Sequence, residues 1–302
     1  MTPLLIPDAP FPPWAAEILA GETLVLDGVP NAAYHGTKAL ISKSSLDLFA
    51  RSPAHFHYAV RNPMPPEDDI FDRPEALVIG SAFHSYVLEP EVFVKEFVVL
   101  PDLGSMRSAR NRDFRDRWLQ DKHPDKQPLT QRQFRMISAM REGLYRNDRI
   151  RRVLENGQPE VTCACICKDT GLPLKCRWDW LSEIEGVALD LKTAADGSPA
   201  IWRLEAAKRR YHVQDSYYTY IGQQCGVDID GMAFAVIEKE EPFVAGFYTM
   251  DATARLAGEM LYQRELQGIA ERIASGRWEG YGDDAQELTL PSHATEIVKF
   301  GI

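Results

Sequence analysis

Two aspartates and a lysine, Asp179, Asp190 and Lys192, stand where they could do hydrolytic chemistry. Asp179 falls in one strand-like segment, and Asp190 with Lys192 falls in the next. The short polar stretch Glu183-Ile-Glu-Gly186 between them reads as a hairpin turn. A turn centred between Ile184 and Glu185 sets Asp179 opposite Asp190, and cross-strand partners share a face with Cβ atoms roughly 4.5–5.5 Å apart. Lys192 follows Asp190 by two residues and returns to that face. Phosphodiester hydrolysis needs a nucleophilic hydroxide, charge neutralisation on the phosphate and help for the leaving oxygen. Mg²⁺ held by two or three oxygen ligands can provide these. Lys192 could orient or deprotonate the attacking water, or offset phosphate charge. Asp-x-Lys is a common tripeptide, and alone it equally describes an exposed cross-strand ion pair.

The elements that must position these groups follow from hydrophobic patterning. The 302 residues, 45% hydrophobic and 10% aromatic, suffice for a sizeable core. Ser42 to Arg51 reads as a short helix capped by Ser44 or Ser45, and Ser52-Pro53 starts another. Asn62-Pro-Met-Pro-Pro reads as a loop and Pro74 to Leu88 as a helix carrying His84. A lone histidine among apolar neighbours also suits a core position. Helix is predicted over Thr130 to Asn147. Strands are predicted over Glu160 to Lys168, Lys175 to Leu181, Val187 to Lys192, Gly231 to Glu238 and Phe243 to Thr249. Helices open at Ser198-Pro199, about Val213 and Asp251. Gln214 and Tyr218, four apart, share a helix face. The class is α/β or α+β: a central mixed sheet flanked by helices, with a helical N-terminal part. Residues 1–40 read as a surface segment, 41–280 as the main domain and 281–302 as a tail.

A net charge of −10 argues against a nucleic-acid partner, yet residues 105–152 hold fourteen Lys or Arg against six Asp or Glu. That section either grips a phosphate backbone or forms a solvated helix face. Cys163, Cys165 and Cys167 alternate along one strand. Same-face positions there lie about 6.5–7 Å apart, too far to converge on one zinc, so they read as small, reduced core residues. Met1 to Pro13 lacks the basic start of a signal peptide, and no apolar run approaches membrane-spanning length. The expected location is cytoplasmic.

Several motifs, taken in order, resemble a known family: Gly80 to His84, Pro159-Glu160, Gly171 through Lys175-Cys-Arg177-Trp-Asp179, Leu189-Asp190-Leu-Lys192-Thr193, and Tyr211-His-Val-Gln214 through Tyr218. Together they look like the exodeoxyribonuclease VIII (RecE-type) nuclease domain, of the PD-(D/E)xK superfamily and its RecB-like branch. The resemblance implies a restriction-endonuclease-like core and a Mg²⁺-dependent enzyme, with Mn²⁺ as a substitute. Such an enzyme resects linear double-stranded DNA from 5′ ends, leaving 3′ single strands for an annealing protein. It also implies a phage or prophage setting in a bacterial host and a ring-shaped homo-oligomer. By motif position, His84, Asp179, Asp190 and the Leu191 carbonyl would bind metal, with Lys192 as the catalytic lysine. Gln214 and Tyr218 would position strand or water, Glu160 would support the site, and Ser44, Ser45 and Arg51 are candidates for the terminal phosphate. Trp178 departs from the pattern, which has a smaller residue or proline before the first aspartate. The alternatives are a RecB-like nuclease of other polarity or single-strand substrate, and a non-catalytic DNA-binding recombination protein.

Overall fold

The computed structural model describes residues 4–6, 11–62, 74–104 and 107–290. A 3-10 turn over Pro13–Ala20 precedes β1 (Leu24–Leu26), α1 (Asn31–Gly36), α2 (Lys43–Arg51), α3 (Pro53–Arg61), α4 (Glu75–Leu88) and α5 (Pro90–Glu96). Next come β2 (Phe97–Val99), α6 (Ala109–Lys122), β3 (Gln127–Leu129), α7 (Gln131–Tyr145) and α8 (Asp148–Glu155). The remainder is β4 (Gln158–Ile166), β5 (Pro173–Ser182), β6 (Val187–Ala194), α9 (Pro199–Lys208), α10 (Tyr211–Gln224), β7 (Met232–Glu238), β8 (Ala245–Thr249) and α11 (Ala252–Ser275).

Helix starts follow local side-chain chemistry. Ser42, not Ser44 or Ser45, caps α2. Its extended backbone lets Oγ accept from the Ser45 amide at 3.3 Å, while Ser45 Oγ accepts from the Ser42 amide at 3.2 Å. This reciprocal pair satisfies two amide donors that the helix leaves open. Ser52 caps α3 ahead of Pro53, and Asp251 caps α11 by accepting from the Ala254 amide at 2.7 Å. Proline-rich residues 63–66, Ser105 at the start of the basic section, and the tail from 291 lie outside the described residues.

The six-stranded sheet has the order β1-β4-β5-β6-β7-β8. β6 and β7 run parallel and the other neighbours antiparallel, giving the expected mixed sheet. The parallel step is made through α9 and α10, because parallel neighbours need a long crossover. One face carries a core of Phe56, Trp178, Tyr217, Phe234 and Leu266 beneath α3, α10 and α11. The other carries Phe83, Met140, Ile150, Leu189 and Ala235 beneath α4, α7 and α8. Cys163, Cys165, Cys167 and Cys176 are buried in the first core, the packing role read from their alternation.

Residues 13–40 are built into this sheet rather than laid over it. β1 pairs with β4, and Ala15, Ile18, Ala39 and Leu40 are buried around Ala164. Apolar residues spaced among prolines gave no periodic signal, so their burial depended on the exposed edge of β4. The basic helix α6 buries only Leu119, and most of its arginines lie along an exposed face.

Candidate active site

The β5–β6 ladder runs through Ser182↔Val187, Leu181↔Ala188 and Trp180↔Leu189. Continued one step it would pair Asp179 with Asp190, the register read from the turn, but the strands part there. The Leu191 amide instead donates to Asp179 Oδ2 at 2.8 Å, so a carboxylate fills the place of a strand. The neighbouring ladder is disturbed at the same level. β4 and β5 pair at Pro159↔Trp180 and Val161↔Trp178, but not at the intervening Glu160, whose φ is 53°. A non-glycine residue in that left-handed region costs about 1–3 kcal/mol and persists where surrounding structure enforces it. Trp178 and Trp180, two apart, consequently enter opposite cores instead of sharing a face. The disturbance aims Asp179 and Glu160 into the opening between the strands.

Side chains from α4, β4, β5, β6 and α10 converge on that opening. From α4, His84 Nε2 lies 2.8 Å from Asp179 Oδ2, and Nδ1 lies 3.9 Å from Glu160 Oε1. From β5, Arg177 Nε holds Glu160 Oε2 at 2.8 Å. From α10, Gln214 Nε2 donates to Asp190 Oδ1 at 2.6 Å, while on β6 Lys192 Nζ pairs with Asp190 Oδ2. Tyr218, one turn after Gln214, lies beside Tyr34 and Cys176 within electrostatic reach of Asp190 and Asp179. The Leu191 side chain packs in the second core while its amide serves Asp179.

The charges are strongly interdependent. Burial alone would raise the Asp179 pKa, but His84 by charge and hydrogen bond, then Lys192 and the Leu191 amide, hold it down to about 2. Burial would deprotonate His84, yet Asp179 and then Glu160 outweigh it and raise its pKa. Burial pushes Glu160 up to about 7, with Arg177 opposing and Asp179 reinforcing. Asp190 is raised by burial, partly offset by Lys192. Burial also favours neutral Lys192, but Asp190 and Asp179 outweigh it and keep the ammonium charged.

His84, Glu160 and Asp179 each place a ligand atom within 4.8 Å of the others. One imidazole nitrogen and two carboxylates, with Asp190 across the same opening, form a donor set dominated by hard oxygens, which fits a divalent cation such as Mg²⁺ or Mn²⁺. Glu160, expected only to support the site, belongs to this tightest grouping. Ser44 and Ser45 lie in the first turn of α2 and Arg51 in its last, where Arg51 Nε donates to Tyr281 Oη at 3.4 Å. At 1.5 Å rise per residue, Ser44 and Arg51 are separated by roughly 10 Å along the helix.

Arg177 received no role from sequence reasoning, although its place two residues before Asp179 was a usable signal. Its guanidinium and the Lys175 ammonium each sit 4.4 Å from the Tyr34 ring centroid, on α1. No sequence pattern could have indicated that α1 braces the site strand from behind.

A mixed sheet that opens between two strands to gather an Asp, a second Asp and a Lys under flanking helices defines the PD-(D/E)xK nuclease superfamily. The chain belongs to the family described as a PDDEXK-like domain of unknown function (DUF3799), whose model matches residues 42–286. Among solved structures, a protein of Eubacterium rectale described as a "putative exonuclease" superposes with a TM-score of 0.53 at 15% identity, over 89% of this chain and 98% of that one. That likeness is one of fold. No curated protein matches the sequence. Among the described residues, no helix is long and apolar enough to cross a membrane.

Proposed function

We propose that this protein is a Mg²⁺-dependent exonuclease that degrades linear double-stranded DNA from 5′ ends and leaves 3′ single strands for an annealing partner. The observation that carries the reading is the convergence of His84, Glu160, Asp179, Asp190, Lys192 and Gln214 where β5 and β6 part. His84, Asp179, Asp190 and the Leu191 carbonyl are the proposed metal ligands, with Glu160 alongside. A divalent cation held there supplies Lewis acidity toward the phosphodiester. Lys192 offsets charge on the phosphate, Gln214 fixes the Asp190 carboxylate, and Arg177 fixes Glu160. The ordered motifs from Gly80 to Tyr218 support the 5′-end polarity, the recombination role, the bacterial cytoplasmic setting with a phage or prophage origin, and the homo-oligomeric ring.

The test is digestion of linear duplexes bearing 5′-phosphate or 5′-hydroxyl ends in Mg²⁺, beside single strands and closed circles. Resection from 5′ ends of linear duplexes alone is the expected outcome. Cutting of closed circles means an endonuclease, preference for single strands means a different substrate, and inactivity in both Mg²⁺ and Mn²⁺ leaves a DNA-binding protein.

A further inference from the structure

Tyr211 opens α10 three residues before Gln214, so both side chains lie on the helix face turned toward Asp190 and Lys192. Its ring is clamped by Trp202 and Phe234, with centroids 5.6 and 5.4 Å away, and only 9% of the residue is exposed. Two ammonium groups approach this ring: Lys192 Nζ at 5.4 Å from its centroid and Lys43 Nζ at 5.8 Å. Lys43 comes from the first turn of α2 and is held by Asp47 at 2.6 Å and by the Arg209 carbonyl at 2.7 Å. The Tyr211 hydroxyl makes no hydrogen bond among the described residues, and it is not one of the sealed polar atoms left without a partner, so its oxygen stays open to a ligand. It lies within electrostatic reach of Lys192 and Asp190, which act on it in opposite directions.

The surroundings state what the hydroxyl is for. α10 has no side-chain cap and no acidic residue in its first turn. Its leading amides therefore add partial positive charge beside the two lysines. A rigid O–H donor among cations, next to the nuclease carboxylates, suits an anion with several acceptor oxygens. We propose that the Tyr211 hydroxyl donates to a non-bridging oxygen of the scissile phosphate, with Lys43 supplying a second positive charge beside Lys192. This inference rests on the nuclease reading and assigns two residues to substrate binding at that same site.

The experiment compares wild type, Tyr211→Phe and Lys43→Gln on linear duplexes whose terminal linkage is an ordinary phosphate or either diastereomer of a phosphorothioate. Tyr211→Phe keeps the ring stack, so its melting temperature should match wild type. Its cleavage rate on ordinary phosphate should fall about 10- to 150-fold, the worth of one hydrogen bond to a charged group. The rate penalty that one diastereomer imposes on wild type should shrink in this variant, since sulfur accepts poorly from a hydroxyl that is no longer there. Lys43→Gln should weaken binding to duplex ends in Ca²⁺ and reduce the salt dependence by about one phosphate contact. An unchanged rate for Tyr211→Phe, or an equal loss on all three linkages, overturns the role of the hydroxyl. An unchanged salt slope overturns that of Lys43. A wild-type protein that cuts none of these duplexes overturns the nuclease reading itself, and this inference with it.

Discussion

His84 Nε2 lies 2.8 Å from Asp179 Oδ2, a bond that ties α4 on one face of the sheet to the strand opening at β5. The same carboxylate oxygen accepts the Leu191 amide, so Asp179 is fixed from both sides before any ion arrives. His84→Ala removes a proposed ligand and should weaken Mn²⁺ binding by at least about 10- to 100-fold, the cost of losing even a group that only orients metal ligands. Titration calorimetry with Mn²⁺ measures this, and wild-type affinity in the variant would remove His84 from the ion site.

Asp190→Ala should abolish cleavage while largely sparing DNA binding. Gln214 lends a subtler check, because it donates to a buried carboxylate. Gln214→Ala should lower folding stability by about 1–3 kcal/mol, the cost of leaving such an acceptor unmet. Gln214→Glu should be worse, since it replaces a donor with a like charge. Urea unfolding beside cleavage rates separates the two effects, and a Gln214→Glu variant as stable as Gln214→Ala would contradict the geometry.

Trp178 is accommodated because Gly222 on α10 has no side chain. A Cβ there would meet Trp178 Cη2 at 2.7 Å and Cζ2 at 2.8 Å. Gly222→Ala should cost about 1–3 kcal/mol by overpacking, and cleavage should drop because the displaced ring adjoins Asp179. Trp178→Leu should relieve that strain, so the double variant should lose less stability than the two single losses added. Strict additivity in urea unfolding would count against the contact.

Lys175 is buried, donating to the Thr37 carbonyl at 2.7 Å and to the Tyr34 carbonyl, with Lys38 and Arg177 as its charged neighbours. Burial, then Lys38 and Arg177, lower its pKa from 10.5 to about 7. Below pH 7 both folded and unfolded states carry the proton, and the cost of burying it is fully present. Between 7 and 10.5 only the unfolded state binds the proton, so stability should rise with pH across that window. Lys175→Met should flatten the rise between pH 7 and 9 in thermal melts, and an unaltered slope would refute the shifted titration.

Much of the strand framework could be read in advance. The turn over residues 183–186 set the β5–β6 register as far as Trp180↔Leu189, one step short of Asp179 and Asp190. Gln214 also fell where its spacing put it, because a helix fixes which residues face the sheet. The α2 cap was misplaced because Ser42, Ser44 and Ser45 are alike as residue types, and only backbone conformation distinguishes them. α1 and β1 were missed for another reason: short elements carry too few residues for periodicity to show, and they form here against an edge that already exists.

Sequence by itself determined the local things: alternating strands, helix faces, a tight turn, and the residue types able to hold a cation and a phosphate. Tertiary structure alone decided that β5 and β6 part at Asp179, that Glu160 turns left-handed into the gap to meet Arg177, and that Lys43 comes from α2 to the Tyr211 ring. The physical reason is range. Propensity and periodicity act over a few neighbouring residues, whereas these placements are set by packing and charge among segments far apart in the chain.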